Sequence, residues 1–230
     1  MIREGVTADR ADTYVVIAAF NEGKVIRRVV GEVVAAGWPA VIVDDGSRDD
    51  TAAAAGMPGA TVLRHAINLG QGAALQTGID YAVRRGAKHV VTFDADGQHS
   101  VEDIPELVAA LATHDVALGS RFLGKEVIGV TGRRRALLRA ATSISNRLSG
   151  MKLTDAHCGL RAFRAAAAPA LRITQDRMAH ASELLRKIQT SGLRVQEVPV
   201  TVKYTEYSTR KGQSGFQAIR ILFDYFFRPS

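Results

Sequence analysis

An α/β fold with a mostly parallel sheet flanked by helices follows from three features of this sequence. Short runs rich in Val, Ile and Ala alternate with helix-period stretches through roughly the first 120 residues. The linkers between them are short, and strands joined that way through helices pair in parallel with right-handed crossovers. The apolar runs also stop abruptly in clusters of acids, amides and glycines. Those clusters therefore gather on the carboxyl edge of one sheet, where α/β proteins bind ligands.

The elements follow in order. Tyr14 to Phe20 is a buried strand, followed by Asn21-Glu22-Gly23 and an amphipathic helix from about Lys24 to Ala36. Ala40 to Val43 is a second strand running into Asp44-Asp45-Gly46-Ser47, and Thr51 to Ala55 a short helix. Thr61 to Arg64 is a third strand, and Asn68-Leu69-Gly70-Gln71-Gly72 leads into a helix reaching about Arg85. His89 to Phe93 is a strand ending in Asp94-Ala95-Asp96-Gly97-Gln98. A helix from about Glu102 to Ala112 and a strand over Val116 to Ser120 complete the alternation. Beyond Arg121 the pattern loosens. Arg133 to about Leu148 is a helix with Leu137, Leu138, Ala141, Ile144 and Leu148 on one stripe. A second helix carries His180 to Leu185, Arg194 to Tyr204 alternates as a half-buried strand, and Phe216 to Phe227 is amphipathic.

With 230 residues, the chain suits one domain. We expect a flexible terminus over residues 1–12 and a single unit over 13–230, its halves meeting near residue 121. A formal charge of +7 points to an anionic partner. Aromatics at 6% and the lack of a stacking-platform motif argue against nucleic acid. The single cysteine, Cys158, excludes an internal disulfide and fits a reducing cytosol. The amino terminus is too polar for a signal peptide, and no run of about 20 apolar residues spans a bilayer.

Chemistry concentrates at Asp94-Ala95-Asp96. Two carboxylates about 4 Å apart repel by roughly 4 kcal/mol at an effective dielectric near 20, so a cation is expected between them. Hard divalent ions prefer such oxygens and share them with substrate phosphates. The bland alternative is a solvated Asp-rich turn. No dinucleotide glycine fingerprint follows the first strand, and no P-loop occurs. Asn21, Glu22, Asp44, Asp45, Asn68, Asp94, Asp96 and Gln98 thus share an edge suited to a nucleoside diphosphate held through a metal.

These motifs, in this order from about Tyr14 to Ser214, resemble inverting glycosyltransferases of the GT-A fold, family two, and within it the polyprenyl-phosphate sugar transferases of the dolichol-phosphate mannose synthase type. The resemblance implies a nucleotide site built from Ala18, Phe20, Asn21, Glu22, Asp45, Gly70, Asp94 and Ala95, with Arg210 and Lys211 closing over the phosphates. It implies Asp94, Asp96 and Gln98 as ligands of Mg²⁺ or Mn²⁺, and Asp96, with Glu183 or Asp155 as base or positioner, in the catalytic role. Arg121, Arg133, Arg134 and Ser143 fall where relatives bind the lipid phosphate, with Asn146 one turn beyond Ser143. Ala18 stands where Pro or Thr is common, which leaves the base open. The implied reaction moves a hexose from a GDP-mannose or UDP-glucose type donor to a polyprenyl phosphate at the membrane surface. The expected location is cytoplasmic, peripheral on the inner face, docked through the helix after Arg133 and the Phe216 to Phe227 segment; a separate small membrane protein or a second copy is the expected company. A transferase with a soluble acceptor and a non-catalytic nucleotide-sugar-binding subunit are the alternatives.

Overall fold

A computed structural model of the chain describes residues 10–124, 127–128, 132–175 and 179–204. Nine strands and six helices alternate among them. The first half runs β1 (Thr13–Ala19), α1 (Ile26–Ala35), β2 (Ala40–Asp44), α2 (Thr51–Ala55), β3 (Ala60–Arg64), α3 (Gln71–Arg84), β4 (His89–Thr92), α4 (Ile104–Ala110) and β5 (Val116–Ser120). The second half runs β6 (Val127–Ile128), α5 (Gly132–Ser149), β7 (Arg161–Arg164), α6 (Ala179–Ser191), β8 (Val195–Pro199) and β9 (Val202–Lys203).

Seven strands form one sheet in the order β3-β2-β1-β4-β7-β5-β8. The sheet is mixed: β7 runs antiparallel between β4 and β5, and the other pairings are parallel. The two halves of the chain are therefore woven into one sheet, with β7 and β8 entering from the second. β6 and β9 pair in parallel apart from it.

Alternation along the strands divides the core. Val15, Ile17, Val91, Phe93 and Ala117 pack with Ile26 and Val29 of α1 and Leu107 of α4 on one face. Val16, Val41, Val90 and Leu118 pack with Leu75 and Ile79 of α3 and Leu185 and Ile188 of α6 on the other. The period of two in strands makes this division.

Beyond β6 and β7, which the sequence does not foretell, three elements differ from the sequence expectation. The stretch from Arg194 to Tyr204 is two strands, because the chain leaves the main sheet after Pro199 to reach the loop beyond β4. The helix expected from about Glu102 begins as a 3₁₀ turn, Val101–Asp103, entered through Ser100, whose side chain accepts from Glu102 N at 3.4 Å. The expected stripe of α5 is split: Leu138 and Ala141 are half-buried, but its other described members are not. Leu137 and Ile144 are 40% and 38% exposed, whereas Thr142 and Ser145 are buried. Polar partners on the protein side explain this: Thr142 Oγ1 accepts from Ala156 N at 3.3 Å, and Ser145 Oγ meets His157 Nε2 at 3.1 Å.

Candidate functional site

The carboxyl ends of β1, β2 and β4 are neighbours, so the loops leaving them converge. After β1, Asn21 adopts φ +54°, the one positive value at a non-glycine residue among the described positions. Asn tolerates this region better than most side chains. The neighbouring turn holds it: Asn21 N donates to Ser47 Oγ at 2.9 Å, its Oδ1 accepts from Arg48 N at 3.0 Å, and Glu22 N donates to Thr51 Oγ1 at 2.8 Å. Glu22 is itself buried, and Ala18 is half-buried near the strand's end. Phe20, Ile67 and Leu69 remain exposed on these loops, at 41%, 67% and 46%. Apolar side chains left in water beside a ligand edge suit the flat face of a base. The sequence points to Asn68 and Gly70 of this loop but not to Ile67 before them or Leu69 between them.

Asp45 is held by the protein. Its carboxylate accepts from His65 Nδ1 at 2.7 Å, Leu69 N at 2.9 Å and Gly70 N at 2.8 Å. His65 continues to Thr77 Oγ1 at 3.0 Å. Gly70, at φ +98°, turns the chain there into α3. Asp45 thereby shapes the 65–70 loop beside the edge where the resemblance expects the base.

Asp94 and Asp96 stand just past β4, with Ala95 between them packed into the core, so Ala95 offers the edge only its backbone. Asp94 Oδ2 lies 3.0 Å from His99 Nε2. Burial alone raises the Asp94 carboxyl, but the His99 hydrogen bond and the charges of His99, Arg161 and His180 outweigh it and hold it below its ordinary value. Asp96 behaves oppositely. Burial, then the Asp94 charge, pushes it up to about 6, and it has no ion-pair partner among the described residues. Gln98 folds back onto it: Gln98 N donates to Asp96 Oδ1 at 3.0 Å, and its side-chain amide to Oδ2.

Gly159 leaves room for this pair, since a Cβ there would sit 2.2 Å from Asp94 Oδ2. Gly72 brings the start of α3 against α6 in the same way, its Cβ position lying 2.2 Å from Gln175 O and 3.0 Å from His180 Cβ. Two carboxylates and an amide oxygen, one carboxylate lacking a cation, are a hard-oxygen set that fits Mg²⁺ or Mn²⁺. Among the described residues no group of three or more His, Cys, Asp or Glu side chains is arranged to hold a metal. An ion here would need further oxygens from outside the protein.

The second set of predicted residues is arranged differently. Asp155 and Arg121 form a two-pronged ion pair, Nε to Oδ2 at 2.6 Å and Nη2 to Oδ1 at 2.8 Å. Both are buried, and Arg121 Nη1 donates to the Tyr204 hydroxyl at 2.9 Å. Burial raises the Asp155 carboxyl, but the hydrogen bond and charge of Arg121 prevail and keep it low. Glu197 closes the network from β8, accepting from Thr154 N and from Asp155 N at 3.1 Å.

Glu183 is equally engaged. It accepts from Thr174 N, Thr174 Oγ1 and Gln175 N and pairs with Lys187 Nζ at 2.7 Å. Burial raises it, yet those partners bring it down to about 2. In this structure protein donors take the oxygens of both Asp155 and Glu183, and both carboxyls are held low. Asn146 spends its amide on Leu153, donating to its oxygen at 2.7 Å and accepting from its nitrogen at 3.0 Å. Ser143 is exposed on α5, and Arg139 stacks 5.5 Å over Phe122, beside Arg121. Burial pushes the Cys158 thiol up to about 12, so it is packing, not a nucleophile. The backbone of Arg133 and Arg134 opens α5, but their side chains lie outside the described residues, as do Arg210, Lys211 and the Phe216 to Phe227 segment. His99, Arg161, Glu197 and Tyr204 also belong to these constellations. The sequence marks only His99, by its place beside Gln98.

The family model for glycosyl transferase family 2 matches residues 14–171. The chain is 31% identical to the UDP-N-acetylglucosamine–dolichyl-phosphate N-acetylglucosaminyltransferase of Methanococcus voltae, over 91% of this chain and 93% of that protein. It is 32% identical to the polyprenol monophosphomannose synthase of Mycolicibacterium smegmatis, over 86% and 80%. Among solved structures it resembles glucosyl-3-phosphoglycerate synthase from Mycobacterium tuberculosis, with TM-score 0.68 and 21% identity, covering 99% of this chain and 86% of that one. That last likeness is one of fold. The match over residues 14–171 and the two relatives agree with the acidic edge described above: the chain belongs to glycosyl transferase family 2 and has its GT-A fold.

Proposed function

We propose that this protein is a metal-dependent, inverting hexosyltransferase that moves a sugar from a nucleoside-diphosphate donor of the GDP-mannose or UDP-glucose type to a polyprenyl phosphate. The observation that carries it is the Asp94-Ala95-Asp96 pair at the sheet edge, with Asp96 pushed up to about 6 by burial and the Asp94 charge. The relatives named for dolichyl-phosphate and polyprenol monophosphate substrates support the acceptor class. Asp94, Asp96 and Gln98 would hold Mg²⁺ or Mn²⁺, which when bound neutralises the charge of the leaving diphosphate. Phe20, Asn21, Glu22 and the 65–70 loop shaped by Asp45 would hold the nucleoside. An oxygen of the acceptor phosphate attacks the anomeric carbon; the carbon–oxygen bond to the diphosphate breaks, and the nucleoside diphosphate departs with the electron pair. The acceptor is already anionic, so the step needs no strong base. Asp155 and Glu183 accordingly act as positioning residues, one fixing Arg121 and the other the 174–175 loop.

Docking at the membrane belongs to the same proposal. No helix among the described residues is long and apolar enough to cross a bilayer. α5 instead turns Leu137 and Ile144 outward, carries five arginines and has no acid. Such a face suits the headgroup region of an anionic inner leaflet. Incubation with labelled nucleotide sugars and polyprenyl phosphate, with and without EDTA, tests the reading: label should enter the lipid phase only with a divalent ion. Label appearing solely on a water-soluble acceptor would overturn the acceptor assignment.

A further inference from the structure

Arg161 is a charged group at this site that the reaction above does not use. It opens β7 in the middle of the sheet, opposite Thr92 of β4 and Leu118 of β5. It is 6% exposed and enters a pocket whose other walls are Leu75, Ile79, Phe163, Leu171 and Leu184. Among the described residues no side-chain hydrogen bond or ion pair engages its guanidinium. A guanidinium carries five donors, and a buried cation with no direct partner is expensive to keep. Replacing it with an apolar residue of similar size should cost the fold nothing.

Its surroundings give it a purpose. Thr92 is its ladder partner, and Asp94 lies two residues beyond Thr92. From the other side, Gly159, two residues before Arg161, is the surface on which the Asp94 carboxylate rests. Positions two apart in extended chain return to one face, so Arg161 and Asp94 share the side covered by α3 and α6. The attractions that offset Arg161's burial include those of Asp94 and Asp155, while Arg161 is one of the charges acting on Asp94.

We propose that Arg161 is a built-in counter-cation for Asp94 that makes binding of the divalent ion conditional on the nucleoside diphosphate. The inference rests on the metal reading of the Asp94–Asp96 pair given above. Without nucleotide, an entering ion meets a fixed positive charge in a poorly screened interior. The diphosphate brings negative charge that cancels this repulsion, so ion and nucleotide bind together. By linkage the ion strengthens nucleotide binding by the same factor.

Free Mn²⁺, counted by electron paramagnetic resonance during titration of the full chain, tests this with and without UDP or GDP. Arg161→Met keeps the side chain's bulk and removes its charge; Arg161→Lys keeps the charge. We expect Arg161→Met to bind Mn²⁺ without nucleotide about tenfold more tightly than the wild type, to lose most of the nucleotide-driven enhancement, and Arg161→Lys to resemble the wild type. Should Arg161→Met not fold, Arg161→Gln, also uncharged, is read in the same way. Equal Mn²⁺ affinity of the wild type and the uncharged variant without nucleotide would overturn the role of Arg161 and leave the metal reading intact. Absence of Mn²⁺ binding by the wild type with either nucleotide would overturn the metal reading itself.

Discussion

Two acidic constellations stand at the carboxyl edge of this sheet, and they are finished to different degrees. Around Asp155 everything is answered: Arg121 grips both carboxylate oxygens, Tyr204 takes another guanidinium nitrogen, and Glu197 holds the backbone behind. Around Asp94 and Asp96 the protein stops short. Asp94 has His99, but Asp96 has only the backbone and amide of Gln98, with burial and its neighbour's charge working against it. On the proposed reading, the completed acids serve the fold and the acid left short of positive charge is the one that takes a ligand.

Substitutions should separate the two. Asp96→Asn should lower kcat/KM about a thousandfold, roughly 4 kcal/mol of transition-state stabilisation, while thermal melting shows a fold no less stable than the wild type's. A melting temperature that collapsed together with activity would put Asp96 in the structural class. Asp155→Ala should do the reverse, costing about 3 kcal/mol in urea unfolding by stranding the buried Arg121. Little change there would mean that Arg121 is free to swing toward a ligand. Glu183→Gln should cost about 1–3 kcal/mol, as expected when hydrogen bonds to a charged group are weakened, and should alter turnover less than tenfold. A loss of turnover by orders of magnitude would restore Glu183 as the base.

The pH dependences are smaller and opposite in sign. Glu183 is lowered from 4.5 to about 2, so the stability it contributes is present above about 4.5 and fades as pH falls toward 2. Asp96 is raised from 3.8 to about 6, so in metal-free protein its contribution is full below about 3.8 and is lost as pH rises through about 6. Mn²⁺ affinity should correspondingly weaken below pH 6, where the ion must displace a proton. Melting curves between pH 2 and 8 and Mn²⁺ titrations between pH 5 and 8 would show these trends, and a flat Asp96→Asn difference would remove the Asp96 shift.

Much of the fold was legible because periodicity and short loops are local properties. β1 through β5 lie within a residue or two of their expected places, and α5 spans the anticipated stretch. The central antiparallel position of β7 was not legible, since nothing in Arg161-Ala162-Phe163-Arg164 says which strands will receive it. At the site, Asp94, Asp96 and Gln98 were readable as a motif at a strand end. That Asp45 spends its carboxylate on the 65–70 loop, and Glu183 its own on residues 174 and 175, was not, because those partners are set by tertiary approach. The split stripe of α5 has the same origin: periodicity found the stripe, but the hydrogen bonds of Thr142 and Ser145 to Ala156 and His157 turn Leu137 and Ile144 outward.

Anomalous scattering at the manganese edge, from crystals grown with Mn²⁺ and a nucleoside diphosphate, tests the central claim most directly. The account predicts one strong peak at the Asp94–Asp96 pair, beside the bound diphosphate. A bare pair of aspartates turned to solvent, with the nucleotide bound elsewhere or not at all, would contradict it.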